Sequence, residues 1–286
     1  MNNITILATF WNEKYWIESS LQQLDQLNVK RIIICEGCFD YRFPLHSTDG
    51  TYEIIKEFVK NHSNATLITP YRFKSCKEIS FINAVWNDAI RKRVTFSIPY
   101  VFRAFIKANY YRSNQALTFG HMLNLADVND GDWFMTYDAD QFYEDSFYHF
   151  INNLNYLDPD IDYLFANERT FISNYNIFTN DKGPKYGTNL PFRYKKNTII
   201  MPTRNMFLLG GLKIESYYNT LKGQNIGKYN HYKINYDNRV SQTYMVGDRI
   251  PPSYNGMRIE KFTGKHPAII TKKLLSEGVL ECPKFR

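Results

Sequence analysis

The sequence predicts an α/β fold: a mostly parallel sheet flanked by helices, followed by an irregular α+β half. Three observations point there. Short β-branched apolar runs alternate with amphipathic helical stretches through the first half, and that alternation calls for parallel strands joined by crossover helices. A further run, "WFMTY", ends on two aspartates, Asp138 and Asp140, at the carboxyl strand end where such sheets bind ligands. After about residue 150 the alternation gives way to strand-like runs separated by loops rich in Asn, Tyr and Gly.

Taken in order, "ITILATF" (4–10) is a buried-type strand. Asn12 is a candidate cap for a helix that places Ile17, Leu21, Leu24 and Leu27 on one face. "RIIIC" (31–35) is the second strand and leads to Glu36. Ser47 or Asp49 in "STDG" is placed to cap a helix carrying Ile54, Ile55, Phe58 and Val59. "TLIT" (66–69) is the third strand, and Ala116, Phe119, Leu123 and Ala126 mark a later helix before "DGD" turns the chain into "WFMTY". "YLFANERTFI" and "NTIIM" read as strands of the second half. No repeat or low-complexity linker divides the 286 residues, so one domain is expected.

Composition narrows the function classes. At 44% apolar the chain has ample core, and 22 tyrosines, 21 phenylalanines and 4 tryptophans make it unusually aromatic. The net charge is +7, and residues 71–112 alone hold nine Lys/Arg against two acids, together with ten aromatic rings. Such a stretch can meet a phosphate-bearing ligand, an anionic membrane surface or nucleic acid. Cys35 and Cys38 have zinc or redox spacing, but no second pair follows, and Cys35 closes an apolar run, so a strand-end thiol is the better reading. No basic leader and no apolar stretch near ~18 residues is seen. The expectation is a soluble cytoplasmic protein, with peripheral contact as its only route to a membrane.

Four Asp-x-Asp pairs occur: 130/132, 138/140, 158/160 and 160/162. Three lie in polar turns, where Asp is a turn former. Only Asp138/Asp140 follows an apolar strand. Residues two apart in extended chain point the same way, so both carboxylates can reach one ion. Oxygen ligands of this kind suit Mg²⁺ or Mn²⁺, bound through one or two carboxylates plus substrate phosphates. Phosphatases of the haloacid dehalogenase type also end a strand in such a pair, but near the N-terminus and followed by Thr or Val; here Gln141 and Phe142 follow.

At this point the chain resembles family 2 glycosyltransferases of the GT-A (Rossmann-like) fold. "ILATFWNEKYWIESSLQQL", "IIICEG" with "STDGTYEIIKEF", and "RSNQALTFGHMLNLADVNDGDWFMTYDAD" match its first half in order, and "KFTGKHP" resembles a C-terminal element that can offer a histidine to the metal. The insertion "CFDYRFPLH", the long 71–112 stretch and the absence of the usual Glu-Asp pair in the second half depart from it.

The resemblance implies a nucleotide-sugar-binding half (1–140) and an acceptor half (141–286), with a sugar passing from a nucleotide-diphosphate sugar to a hydroxyl of a glycan or lipid-linked acceptor with inversion. It implies Mn²⁺ or Mg²⁺ at Asp138, Asp140 and His266, with Asp140 the direct ligand and both aspartates, Asp138 included, beside the ribose and diphosphate; a base or ribose contact at Glu36; the base pocket at the backbone around Thr9; and Arg112 near the diphosphate. Glu168 and Asp248, with Asp237 third, are the candidates for general base. Two alternatives rank lower. A sugar nucleotidyltransferase would carry a glycine-rich loop where this chain has "ATFWNEKYW". A non-enzymatic binder of anionic surfaces or nucleic acid would use residues 71–112, nucleic acid being the less favoured partner.

Overall fold

The computed structural model describes residues 2–27, 29–90, 98–172, 174–180, 190–202, 206–210, 213–216, 221–233 and 259–279. The first half runs β1 (Asn2–Phe10), α1 (Ile17–Gln26), β2 (Val29–Glu36), α2 (Thr51–Asn61), β3 (Ala65–Ile68) and α3 (Ile79–Ala84). Helix α3 continues as one π-helical segment, Val85–Ile90, ahead of α4 (Ile98–Lys107), α5 (Tyr110–Ala126) and β4 (Trp133–Tyr137). Then come β5 (Gln141–Tyr143), α6 (Asp145–Asn152), β6 (Tyr163–Ile172), β7 (Ile177–Asn180) and β8 (Phe192–Arg193). Strands β9 (Thr198–Ile200), β10 (Met206–Gly210) and β11 (Lys213–Ser216) follow, and the described chain closes with β12 (Gly223–Lys233), β13 (Ile259–Lys261) and α7 (Ala268–Ser276).

Strands β3-β2-β1-β4 are adjacent in that order, and they are parallel, as the sequence predicts. Beyond β4 the sheet is mixed rather than mostly parallel: β8, β7, β13 and β5 run antiparallel to their neighbours, and among the described residues only β6–β12 is again parallel. The cause is local. A parallel crossover needs a dozen or more residues, whereas short connections such as the one between β6 and β7 permit only hairpin pairing. A separate antiparallel sheet joins β9, β10 and β11.

The first strands are continuous apolar runs because both sheet faces are covered. Ile4, Ile6, Ala8, Ile32 and Ile34 pack with α1 and α7, while Leu7, Ile33 and Cys35 pack with Phe119, Met122 and Leu123 of α5 on the other face. A third cluster lies between α3, its π-helical extension, α4 and α5. Cys35 and Cys38 are buried thiols, and burial pushes both up, Cys38 to about 11. That fits the strand-end reading. Among the described residues no helix is long and apolar enough to cross a membrane.

Candidate functional site

Two helix starts differ from expectation. Asn12 does not cap α1, which begins at Ile17 after Trp16. It sits instead at φ 54, and its side chain accepts from Thr48 N at 2.9 Å while its own N–H donates to Ser47 Oγ at 2.9 Å. Glu13 N donates to Thr51 Oγ1 at 2.9 Å, and Lys14 N to Asp49 Oδ2 at 3.0 Å. The "STDG" loop is therefore a clamp on the chain leaving β1. Asp49 still reaches Thr51 N at 3.0 Å, although Gly50, at φ 94, holds the cap position of α2.

Glu36, at the carboxyl end of β2, completes this clamp. Its side chain is fully buried and accepts from Ser47 N at 2.7 Å and Ser47 Oγ at 2.6 Å, with His46 Nδ1 2.7 Å from its other oxygen. These three contacts all go to the loop. Thr9, half-buried in β1, pairs with Cys35 one register step before Phe10 meets Glu36.

Asp138 and Asp140 leave the tip of β4, one strand over. Their position is fixed from below by Gln23 of α1, which is fully buried. Gln23 Nε2 donates to Tyr137 Oη at 2.6 Å and to Gln141 O at 2.9 Å, and its Oε1 accepts from Tyr143 N at 2.9 Å. The main chain is thus held on both sides of the aspartates, and Tyr232 N adds a bond to Asp140 O at 2.8 Å. Gln141 Nε2 approaches Asp138 Oδ2 at 3.4 Å, while its buried Oε1 has no hydrogen-bond partner among the described residues. The other Asp-x-Asp residues are engaged elsewhere: Asp158 closes a turn by accepting from Asp160 N, Asp130 accepts from Lys196 N, and Asp132 and Asp162 pair with Lys30 and Lys195.

The register of β5, β12 and β6 then builds an array on one face. Gln141 and Tyr143 oppose His231 and Tyr229, which oppose Thr170 and Glu168. His231 bridges two acids: its Nε2 lies 3.2 Å from Asp140 Oδ2 and its Nδ1 2.9 Å from Glu168 Oε1. Glu168 also accepts from Thr170 Oγ1 at 2.5 Å and from Tyr229 Oη at 2.6 Å. The tip of β4 and an acid of the second half are thereby joined by one imidazole.

His266 is not part of that array. Phe171, Tyr232 and Arg169 lie on the opposite side of the β6–β12 ladder, since successive strand residues alternate faces. His266 belongs to that side, with Nδ1 2.8 Å from Tyr232 Oη and the ring among Phe171, Tyr175 and Phe262. Burial lowers its pKa from 6.5 to about 4. The expected Asp138, Asp140 and His266 triad does not form, and among the described residues no three His, Cys, Asp or Glu side chains are grouped to hold a metal. Arg112 stands in the first turn of α5, with Nη1 3.2 Å from Gln115 Oε1 and its guanidinium over Tyr111. Asp248 and Asp237 lie outside the described residues.

No protein-family model and no curated protein matches this chain. Among solved structures, S. aureus TarS (1-349) is similar over 68% of this chain and 47% of its own, at 9% identity and a TM-score of 0.36. This chain therefore spans about half the length of that one. Glucosyl-3-phosphoglycerate synthase from Mycobacterium tuberculosis, in complex with Mn²⁺, UDP and glucosyl-3-phosphoglycerate, is similar over 95% of this chain and 92% of its own, at 11% identity and a TM-score of 0.37. Likenesses this remote carry no residue roles across.

Two residues of the site escaped the sequence reading. His231 lies in "KYNHYK", which has no motif around it, and Gln23 looked like any polar helix residue. The sequence carried little signal for it: Gln23 lies at the flank of the apolar stripe of α1, yet the fold buries it, and a buried polar residue needs partners.

Proposed function

We propose that the chain is a glycosyltransferase that moves a sugar from a nucleotide-diphosphate sugar to a hydroxyl acceptor, with inversion and with a divalent cation. One observation carries the reading: Asp138 and Asp140 stand at the carboxyl edge of the parallel strands, and Asp140 is joined through His231 to Glu168 on the second half of the sheet. That arrangement offers a cation-binding end and a proton-accepting end in one connected group.

The donor set suits a hard cation. Two carboxylates and the buried Gln141 Oε1, without a hydrogen-bond partner among the described residues, are all oxygens, and Mg²⁺ or Mn²⁺ ordinarily takes few protein ligands and completes its shell with phosphate and water. Asp138 and Asp140 would hold it. Bound there, the ion supplies Lewis-acid neutralisation of the charge that collects on the departing diphosphate.

The remaining work falls to side chains. The acceptor oxygen forms its bond to the anomeric carbon as the bond to the diphosphate breaks, and the electron pair leaves with the phosphate oxygen. Glu168 takes the acceptor's proton. Thr170, Tyr229 and His231 around Glu168 fix its orientation. His231 positions Glu168 against Asp140. The clamp of Ser47 and Asn12 on Glu36 shapes the edge where the nucleotide's base and ribose would lie. The acceptor is a glycan or a lipid-linked hydroxyl.

A thermal-shift screen of UDP-, GDP- and TDP-sugars, with and without Mn²⁺, tests the reading, because a ligand bound only by the folded state raises its melting temperature. At least one sugar nucleotide is expected to raise it, and more so with Mn²⁺. No response to any of them counts against a nucleotide-sugar site.

A further inference from the structure

Two of the departures from the glycosyltransferase pattern, the inserted loop and the 71–112 stretch, pack on each other. Phe39 meets the edge of the Tyr111 ring, Asn114 Nδ2 donates to Phe39 O at 2.9 Å, Arg72 donates to the carbonyls of Asp40 and Phe43, and Tyr41 packs on Tyr110. The inserted loop and the basic, aromatic segment thus make one unit beside the end of β2. Its interior is an ordinary core: Phe81, Ala84, Val85, Ala89 and Ile90 pack with Val101 and Phe105 of α4.

Its outside is not ordinary. The solvent-facing residues of α3 and its π-helical extension are Ile79, Ser80, Ile82, Asn83, Trp86 and Asn87, with no charge among them. Ile79, Ile82 and Trp86 follow helical spacing on one stripe and are 77%, 44% and 47% exposed. On α4 the outward residues include Tyr100 at 61% and Ile106 at 50%, interleaved with Arg103 and Lys107 and again without an acid. Both outward faces point away from the same core. The two acids of the segment are already engaged: Glu78 accepts from the N–H groups of Lys74 and Ser75, and buried Asp88 is held by Tyr71, Asn124 and His121.

An exposed Ile-Ile-Trp stripe is costly to leave in water, and large apolar residues set among cations without acids match a surface that is both greasy and negative. We infer that α3, its π-helical extension and α4 form a docking face for an anionic lipid bilayer, with Ile79, Ile82 and Trp86 entering the headgroup boundary and Lys77, Arg103 and Lys107 meeting lipid phosphates. Charge complementarity selects this occupant. A second copy of the chain would bring its own +7 charge against the same basic face. The inference is independent of the proposed transferase activity, since its readout needs no substrate.

Trp86 is the exposed member of the chain's four tryptophans, so it reports directly. The full chain is mixed with vesicles of phosphatidylcholine alone, or of phosphatidylcholine and phosphatidylserine, at about 0.05 M and about 0.5 M salt, between which electrostatic attraction is largely screened. Sedimentation with the anionic vesicles at low salt is expected, with much less at high salt or on the neutral lipid. A blue shift of tryptophan emission should accompany binding and vanish in Trp86→Phe. The Ile79→Ser/Ile82→Ser/Trp86→Ser variant, altered only on the surface, should retain its circular dichroism and bind at least about tenfold more weakly, as loss of inserted apolar area requires. Failure of the intact chain to bind anionic vesicles overturns the inference. So does equal binding by the triple variant, or a self-associated species that the triple variant dissolves.

Discussion

His231 Nε2 lies 3.2 Å from Asp140 Oδ2, and the opposite nitrogen of the same ring lies 2.9 Å from Glu168. One imidazole spans two acids that are 28 residues apart in sequence, from Asp140 to Glu168, and come from different halves of the chain. Register produces this: β12 lies between β5 and β6, so a residue at position 231 must face both.

His231 should therefore behave as a positioning residue. His231→Gln retains one polar contact but cannot reach both acids. Its turnover is expected to fall by about 10–100-fold, less than the roughly 10²–10⁴-fold that a general base itself contributes, while the donor's dissociation constant changes by less than about threefold. Steady-state kinetics beside direct donor titration separate the two. Equal losses in both would mean that His231 serves binding instead.

Gln23 should govern stability around the β4 tip. Gln23→Leu leaves the Tyr137 hydroxyl and the Tyr143 N–H with fewer partners in a buried place, and unsatisfied buried groups cost about 1–3 kcal/mol each. A loss of about 2–4 kcal/mol in urea unfolding is expected. A change under about 0.5 kcal/mol, the usual size for surface substitutions, would show that the bonds do not hold this strand end.

How much of this was legible beforehand divides by range. Strands β1, β2, β3 and β4 announce themselves as apolar runs, and Asp138/Asp140 stands out because a strand, not a turn, precedes it. Glu168 was reachable by the same strand reasoning. What could not be read was pairing. Whether His231 or His266 meets Asp140 depends on which strand lies beside β5 and on which face each residue takes, and a single register step reverses the face. The histidine with a motif around it, in "GKHP", went to the aromatic side, and the one without a motif went to the acids. The mixed sheet was hidden for the same reason: short connections set strand direction after β4.

His266 should make stability depend on acidity. Burial lowers its pKa to about 4, so the folded chain keeps it neutral while the unfolded chain protonates it near 6.5. The stability this contributes is complete above about pH 6.5 and is lost as pH falls toward 4, because the unfolded state binds the proton first. The ring is only partly buried, so solvent screening holds the effect to about 1–2 kcal/mol. Unfolding measured from pH 7 to pH 4 should show a steeper decline for the intact chain than for His266→Gln. Parallel curves would remove His266 as the cause.

Glu36 should matter through its loop. Glu36→Ala removes the acceptor for Ser47 and the partner of His46 in a fully buried place, at an expected cost of about 2–4 kcal/mol. Nucleotide affinity should fall with it. Ser47→Ala, which removes only the hydroxyl shared with Asn12, should show a smaller loss of the same kind. Stability unchanged in both variants would contradict the clamp.

The central claim is that the aspartates at the β4 tip hold a cation which in turn grips a diphosphate. Calorimetric titration of a nucleoside diphosphate, with and without Mn²⁺, into the intact chain and into Asp140→Ala addresses it directly. The intact chain should bind more tightly with Mn²⁺, and the variant should lose that increment while remaining folded. The same Mn²⁺-dependent gain in the variant would contradict the claim.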